Sequence, residues 1–461
     1  MAAPETAGPA RRRTARRGSR PEGFRTPAVR RPVRRAQSAR PSASPRPAPG
    51  PCAGILWRVW LSVLETRRAP AIYAAAGASF AAIAARGLLV PLYAHGLGAS
   101  RFEVGALFSV ATLAAALLSL PSGVLIDRFG ARSLLWISLA LSAGSQLAIA
   151  ASTTVVPLFI WQVIGGLGAG AQQAALFSAV TESVPGNRLG RSMGWLTFSM
   201  QAGFFLGPAV AGLALAVLDV RTDIAVTTIA LVAAVPGALA APQTRQSQRG
   251  LSLAAPLRAL LGQRAFVPVV VGLVSCTLVW GTVGAFLPIF GKEQLGLASS
   301  QVGYMLALAA VVNGLSRIPG GRLVDAATHR WPIVFVGAVV WSAATIALGH
   351  TSGFWAPAIL IIIGTPFIAT AYVAMGVVFG GLSEASTRGV TMGAYGTVLF
   401  LGLAAGPLIF GPIVQTYGYA AGFTACAVAA IGLALVMAAM HVEPLRRREE
   451  VPLPPAAPGT G

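Results

Sequence analysis

Charge is scarce in this sequence. Asp, Glu, Lys and Arg make up 11% of the 461 residues, against 55% apolar residues, which excludes an ordinary soluble domain. Cysteine is equally sparse. Cys52, Cys276 and Cys426 are scattered, so neither a disulfide framework nor a metal-ligand spacing is present. Lysine occurs once, as Lys292, while Arg, Ala, Gly and Pro abound; we read this as the codon bias of a GC-rich bacterial genome. No nucleophile–base set, metal cluster or phosphate loop appears, so no enzyme is expected and no cofactor or metal is assigned.

The net charge of +21 invites a nucleic-acid reading, but its distribution argues against one. Arginines crowd the first fifty residues (Arg11-Arg12-Arg13, Arg16-Arg17, Arg30-Arg31, Arg34-Arg35) among Pro, Ala and Ser, with Phe24 the sole aromatic. Residues 1–54 therefore read as a disordered cytoplasmic tail that touches anionic lipid. A translated stretch upstream of the true start is the alternative. No apolar run follows the arginines before residue 55, so this is not a secretory signal.

What the chain has in abundance is apolar runs near the roughly 20 residues that cross a bilayer core. We place twelve helices at 72–94, 103–122, 133–151, 155–178, 191–217, 223–241, 266–290, 301–319, 331–349, 354–381, 390–414 and 419–440. Residues 55–68 suit an amphipathic helix lying in the interface. The remaining divisions are a six-helix bundle over 69–241, a central loop over 242–265 with a surface helix near Leu253–Leu261, a second bundle over 266–440, and a tail over 441–461. Ser100-Arg-Phe-Glu103 reads as a capping box opening the second helix. With the tail inside, the loops carrying Arg128/Arg132, Arg188/Arg191, Arg245/Arg249/Arg258/Arg264, Arg322/Arg330, Arg388 and Arg446–Arg448 all fall inside too. Positive residues stay cytoplasmic, so both termini are expected there, in a bacterial inner membrane.

The chain also repeats itself. Gly123-Val-Leu-Ile-Asp127-Arg128-Phe-Gly130-Ala-Arg132 returns 198 residues later as Gly321-Arg322-Leu-Val-Asp325-Ala-Ala-Thr-His329-Arg330. Gly207-Pro208 returns as Gly406-Pro407. This pattern, with the helix count and the central loop, resembles the signature loop of the major facilitator superfamily over residues 70–440. The resemblance implies an all-α membrane fold of twelve helices in two pseudo-symmetric six-helix bundles. It implies a monomeric secondary carrier of small molecules working by alternating access. It also implies that Asp127, Arg128, Arg132 and Glu182 form a cytoplasmic latch, with Asp325, Arg330 and Glu384 as a weaker second one. Topogenic charge at helix ends is the plainer reading. The sequence departs from the family pattern at Ala131, Ala326 and Thr328, and at Gln162, where the family's fourth-helix arginine would stand before Gly166-Leu-Gly168.

Small residues give a second kind of signal. Gly123 is expected to let helix two approach a neighbour closely. Gly203, Gly207 and Ala211 form a smooth stripe beside Pro208, which resembles the fifth-helix motif of the family's exporters. Gly402, Gly406 and Pro407 do nearly the same in helix eleven, so pseudo-symmetric packing explains much of it.

Arg86 is the sharpest single residue. It lies inside helix one, about 12 Å from the outer end at 1.5 Å per residue. An intramembrane charge is costly and usually faces a cavity. Snorkelling is the alternative, and so is satisfaction by carbonyls or glutamines. No Asp, Glu or His lies at mid-membrane in any of the twelve segments, which weakens proton coupling without closing the question. By the family's layout, Gln162, Gln173, Gln201, Trp280, Asn313 and Tyr372 are the further substrate-contact candidates. Each has packing as its plain alternative. Arg317 is expected to snorkel to the inner interface. The reading is an exporter of small amphipathic organic compounds. The rivals are a carrier of organic anions clamped by Arg86, and a non-transporting sensor of the same fold.

Overall fold

The structure is a computed structural model that describes residues 69–184, 189–243, 254–382 and 388–440. Among the described residues every regular element is a helix, and twelve are long and apolar enough to cross a membrane. In the first half these are α1 (Ala69–Gly96), α2 (Arg101–Ser119), α3 (Ala131–Ala151), α4 (Val155–Ser183), α5 (Leu189–Ala214) and α6 (Val220–Ala240). In the second half they are α7 (Phe266–Glu293), α8 (Ser299–Ala326), α9 (Trp331–Leu348), α10 (Trp355–Gly381), α11 (Arg388–Tyr417) and α12 (Tyr419–Ala439). The central surface helix is present as Ala254–Leu261. The expected tails and the interfacial helix over 55–68 lie outside the described residues.

Local chemistry explains the helix starts, and the repeat reaches into it. Ser100 Oγ accepts from Glu103 N at 3.2 Å, and Glu103 Oε2 accepts from Ser100 N at 2.8 Å. This completes the expected capping box. In the second half, Gln301 Oε1 accepts from Ala298 N at 2.9 Å. Ala298 has no side-chain acceptor, so only the return half of the box survives. Gly98 and Gly296 precede these starts with φ +89° and +65°, a left-handed turn that glycine adopts without strain.

The signature segment differs from expectation. It is not a loop but a short helix, Ser122–Phe129, closed by Gly130 at φ +84°. In the second copy α8 runs straight on to Ala326. The first copy breaks at Pro121, whereas the matching Pro319 stands inside the continuous α8, so the proline alone does not set the difference. The close approach expected at Gly123 is absent, because a Cβ there would meet nothing within 4 Å. The short helix turns that face to open space.

Close packing sits instead on the two glycine stripes. A Cβ at Gly203 or Gly207 would collide with the α1 backbone at Gly77 and Ala81, and one at Gly406 with the α7 carbonyl of Leu278. At Gly402 the collision is with Thr277 Oγ1. Pairs α1/α5 and α7/α11 thus pack backbone to backbone, as small residues allow in lipid. Between the halves, α2 packs along α11 and α5 along α8.

The core shows how the halves meet. One apolar cluster joins Leu88, Leu89, Val90, Val104 and Leu107 of the first half to Phe286, Phe290, Val302 and Phe423 of the second. These first-half residues lie toward the end bearing the α1–α2 turn. A separate cluster, holding Ile72, Phe80, Leu135, Leu176 and Leu196, lies wholly in the first half toward the opposite end. At the α1–α2 end the two halves thus share one apolar cluster.

Candidate functional site

Arg86 does not snorkel. Its Nη2 donates to Gln162 Oε1 and, at 3.5 Å, to the Gln162 carbonyl of α4. Its Nη1 donates to Ser145 Oγ of α3 at 3.3 Å. These partners on α3 and α4 place the guanidinium inside the bundle. Gly165 makes room for it, since a Cβ there would coincide with Arg86 Nη1. Among the described residues no carboxylate pairs with Arg86. The charge is held by neutral acceptors only, an arrangement in which its desolvation stays uncompensated by an opposite charge.

The sequence relation between Arg86 and Gln162 becomes physical here. The family's fourth-helix position holds an amide, and an arginine from α1 reaches over to bond it. Both residues line a cavity of about 140 Å³. Its other walls are apolar or small, including Val90, Leu107, Phe108, Gly166 and, from the opposite half, Phe400. An engineered apolar cavity of roughly 150 Å³ takes one benzene ring, so this volume suits a small ring or branched apolar group beside a cation.

Four other candidates lie elsewhere, three in the second half and Gln201 facing them from the first. Gln201 Nε2 of α5 donates to Asn313 Oδ1 of α8 at 3.4 Å, across the seam between halves. The Trp280 and Tyr372 rings meet edge to face with centroids 6.4 Å apart, and Trp280 lies 5.3 Å from Trp341. Tyr372 OH donates to the Cys276 carbonyl at 3.5 Å. Gln173 neither lines the Arg86 cavity nor bonds to this second cluster. Its neighbour Gln172 is fully buried with both amide atoms unpartnered among the described residues.

Arg317 corrects an expectation. Its Nε donates to Asn313 Oδ1, one turn back, at 3.1 Å. The side chain therefore leans away from the near end of α8 rather than snorkelling toward it, following the N-terminal tilt.

The first-half latch arginines make contacts outside the expected latch. Arg132 Nε donates to the Ala241 carbonyl at 2.7 Å, and Arg128 lies 5.3 Å from the Phe129 ring centroid. Glu182 accepts from Ser178 Oγ at 2.7 Å. Asp325 is exposed, and Arg330 Nε is buried without a partner. The Asp127 side chain and Glu384 lie outside the described residues.

The ion pairs that do join the halves are at the α1–α2 end, on a residue the sequence did not single out. Glu293 closes α7. Its Oε2 accepts from Arg101 Nε at 2.7 Å and from Tyr419 OH at 3.0 Å, and its Oε1 lies 3.5 Å from His95 Nδ1. The Arg101 guanidinium also sits 4.8 Å from the Tyr419 ring centroid. Arg101 and Glu293 are 192 residues apart, a separation no local pattern betrays. Asp223 was missed as well. It lies in the first turn of α6, is 1% exposed, and its Oδ2 has no partner among the described residues. Outside the spans, Asp219 caps α6 through Thr222 N at 3.1 Å. The hydrogen bond from the Thr222 side chain, then that from its backbone, holds the Asp219 carboxyl below its ordinary pKa.

Comparison with known proteins fits this architecture. The chain is 26% identical over 124 residues to the quinolone resistance protein NorA of Staphylococcus aureus, which is 27% of this chain and 32% of that protein. It thus spans about a third of the length of that relative. It is 21% identical over 365 residues to the probable galactarate/D-glucarate transporter GudP of Bacillus subtilis, covering 70% of this chain and 80% of that one. Among solved structures, a point mutant of the nucleoside transporter NupG superposes with TM-score 0.69 at 14% identity, covering 81% of this chain and all of that one. A peptide transporter POT does so with TM-score 0.67 at 14% identity, covering 81% of this chain and 94% of that one. Those two likenesses show the fold alone. The model of the Major Facilitator Superfamily matches residues 71–378 and again 269–459, its second match opening at α7 as the internal repeat demands. The chain belongs to the Major Facilitator Superfamily.

Proposed function

We propose that this protein is a secondary carrier of small amphipathic organic molecules bearing an anionic group. It works by alternating access in a bacterial cytoplasmic membrane, with both termini inside. The observation that carries the reading is Arg86, a cation without a carboxylate partner among the described residues, on the wall of a small cavity whose lining is mostly apolar beside Gln162 and Thr112. Such a site repels lipophilic cations and offers an anion a charge-assisted hydrogen bond. The similarity to a probable galactarate/D-glucarate transporter supports an acidic substrate. The apolar cluster shared at the α1–α2 end fits the conformation in which the other face is the one that loads.

Export is a second reading, favoured by the similarity to a quinolone resistance protein. The Gly203/Gly207 stripe does not set the direction, because Gly402 and Gly406 pack in the same way. The test is ligand-induced thermal stabilisation of purified protein by phenylacetate, its neutral amide and benzyltrimethylammonium. Phenylacetate should stabilise the wild type and lose most of that effect in Arg86→Gln. Equal stabilisation by the amide, or an unchanged response in Arg86→Gln, refutes the anion reading and returns Arg86 to a structural role.

A further inference from the structure

The candidates split into two groups, and the second has a cation of its own. We propose that Arg317, with Asn313, Gln201 and Tyr372, forms a second anion-binding subsite, separate from the one at Arg86. Its ligand is a carboxylate or similar oxyanion carried on a flat aromatic or apolar body. The proposal deepens the carrier reading and rests on it.

Three observations support the subsite. First, Arg317 is anchored by one donor only. Nε is held by Asn313, which Gln201 also bonds from across the seam. Among the described residues neither Nη group meets an acceptor and no carboxylate pairs with the side chain. A guanidinium fixed through Nε presents its two Nη groups as a fork, the geometry that takes a carboxylate or phosphate oxygen pair.

Second, the fork does not face lipid. Exposed Tyr304, Leu315 and Ile318 mark the apolar outer face of α8. At 100° per residue, Asn313 and Arg317 lie on roughly the opposite face. Arg317 is nevertheless exposed, so it opens into the interior of the protein rather than into the bilayer.

Third, the surroundings suit an aromatic ligand. Tyr372 belongs to α10, which packs along α8, and it stands edge to face with Trp280. Aromatic edges and faces give a flat ligand preferred stacking sites beyond area burial.

Depth separates this subsite from Arg86. Gly203 packs on Gly77 and Ala81, so Gln201, two residues earlier, stands level with about Gly77. Arg86 lies nine residues further along α1, roughly 13 Å deeper at 1.5 Å per residue. A small monoanion therefore cannot touch both cations at once. Each half carries one, and the two form successive stations along the path between the faces, with Arg317 nearer the α2–α3 end.

The test is binding stoichiometry of labelled phenylacetate by equilibrium dialysis, using full-length wild type, Arg86→Gln, Arg317→Gln and Arg317→Lys. Unliganded melting temperatures serve as the check on folding. Two equivalents should bind the wild type and one each Gln variant. Arg317→Lys should retain the second equivalent, weakened about tenfold by loss of the fork; if Arg317→Gln does not fold, this variant decides, and unchanged affinity in it overturns the proposal. One equivalent in the wild type, lost in Arg86→Gln and kept in Arg317→Gln, overturns the second subsite and leaves the Arg86 reading standing. One equivalent lost only in Arg317→Gln keeps this subsite and removes Arg86 from the path. Binding unaffected by either Gln substitution sinks both.

Discussion

Replacing Glu293 by Gln should open the α1–α2 end of the molecule. Glu293 receives Arg101 at 2.7 Å and Tyr419 at 3.0 Å, with His95 at 3.5 Å. Arg101 and His95 belong to one half, Glu293 and Tyr419 to the other, so the His95 and Arg101 contacts cross the seam. The Arg101 side chain is 36% and the Glu293 side chain 20% exposed, which discounts the pair to about 0.5–1 kcal/mol. The bond from Tyr419 stays within the second half and holds the carboxylate in place for Arg101. Only the seam-crossing contacts differ between conformers, so the shift between sealed and open is about two- to fivefold. Spin labels at Val217→Cys and His350→Cys, on opposite halves at this end, would report it in a background with the three native cysteines replaced. The wild type should give mainly the short distance, and Glu293→Gln a longer population raised by that factor. Arg101→Gln should act in the same direction. A distance distribution unchanged in both variants would refute the idea that this cluster holds the halves together.

Two further substitutions test the packing. Gly165→Ala puts a methyl where the Arg86 guanidinium now lies, so phenylacetate binding should weaken while the unliganded protein loses about 1–3 kcal/mol; unaltered binding and melting temperature would contradict the placement of Arg86. Gly406→Ala meets the Leu278 backbone and Thr282, which cannot both yield, so it should lower the melting temperature more than Gly123→Ala, where a Cβ meets nothing. The reverse order in a thermal scan would show that the α7/α11 contact is not tight.

Much of the fold was legible because lipid imposes a coarse code. Runs of apolar residues located the twelve spans, although α4 and α8 run five and seven residues past their expected ends, and Ser100 with Glu103 marked a helix start that the backbone bonds bear out. The repeat offset carried through to the paired turns at Gly98 and Gly296. Other features depend on three-dimensional neighbours. Arg317 looked like a membrane-edge cation because its position along α8 is near an end; its direction, set by side-chain tilt and by Asn313, reverses that reading. Glu293 follows a long apolar run and looks like an ordinary end-of-helix acid until Arg101 and Tyr419 arrive from distant segments. Gly123 belongs to a motif, yet the short helix that carries it leaves its face unpacked. The polar candidates were individually identifiable, but their division into an Arg86 group and an Arg317 group was not, because helix rotation alone does not say which amide meets which cation.

The most direct measurement is counterflow of labelled phenylacetate in proteoliposomes loaded with the unlabelled acid, with no ion gradient imposed. The account predicts saturable accumulation by the wild type, abolished in Arg86→Gln and not competed by the neutral amide. Accumulation that survives in Arg86→Gln, or that the amide competes as well as the acid, would contradict the claim that an uncompensated arginine selects the substrate.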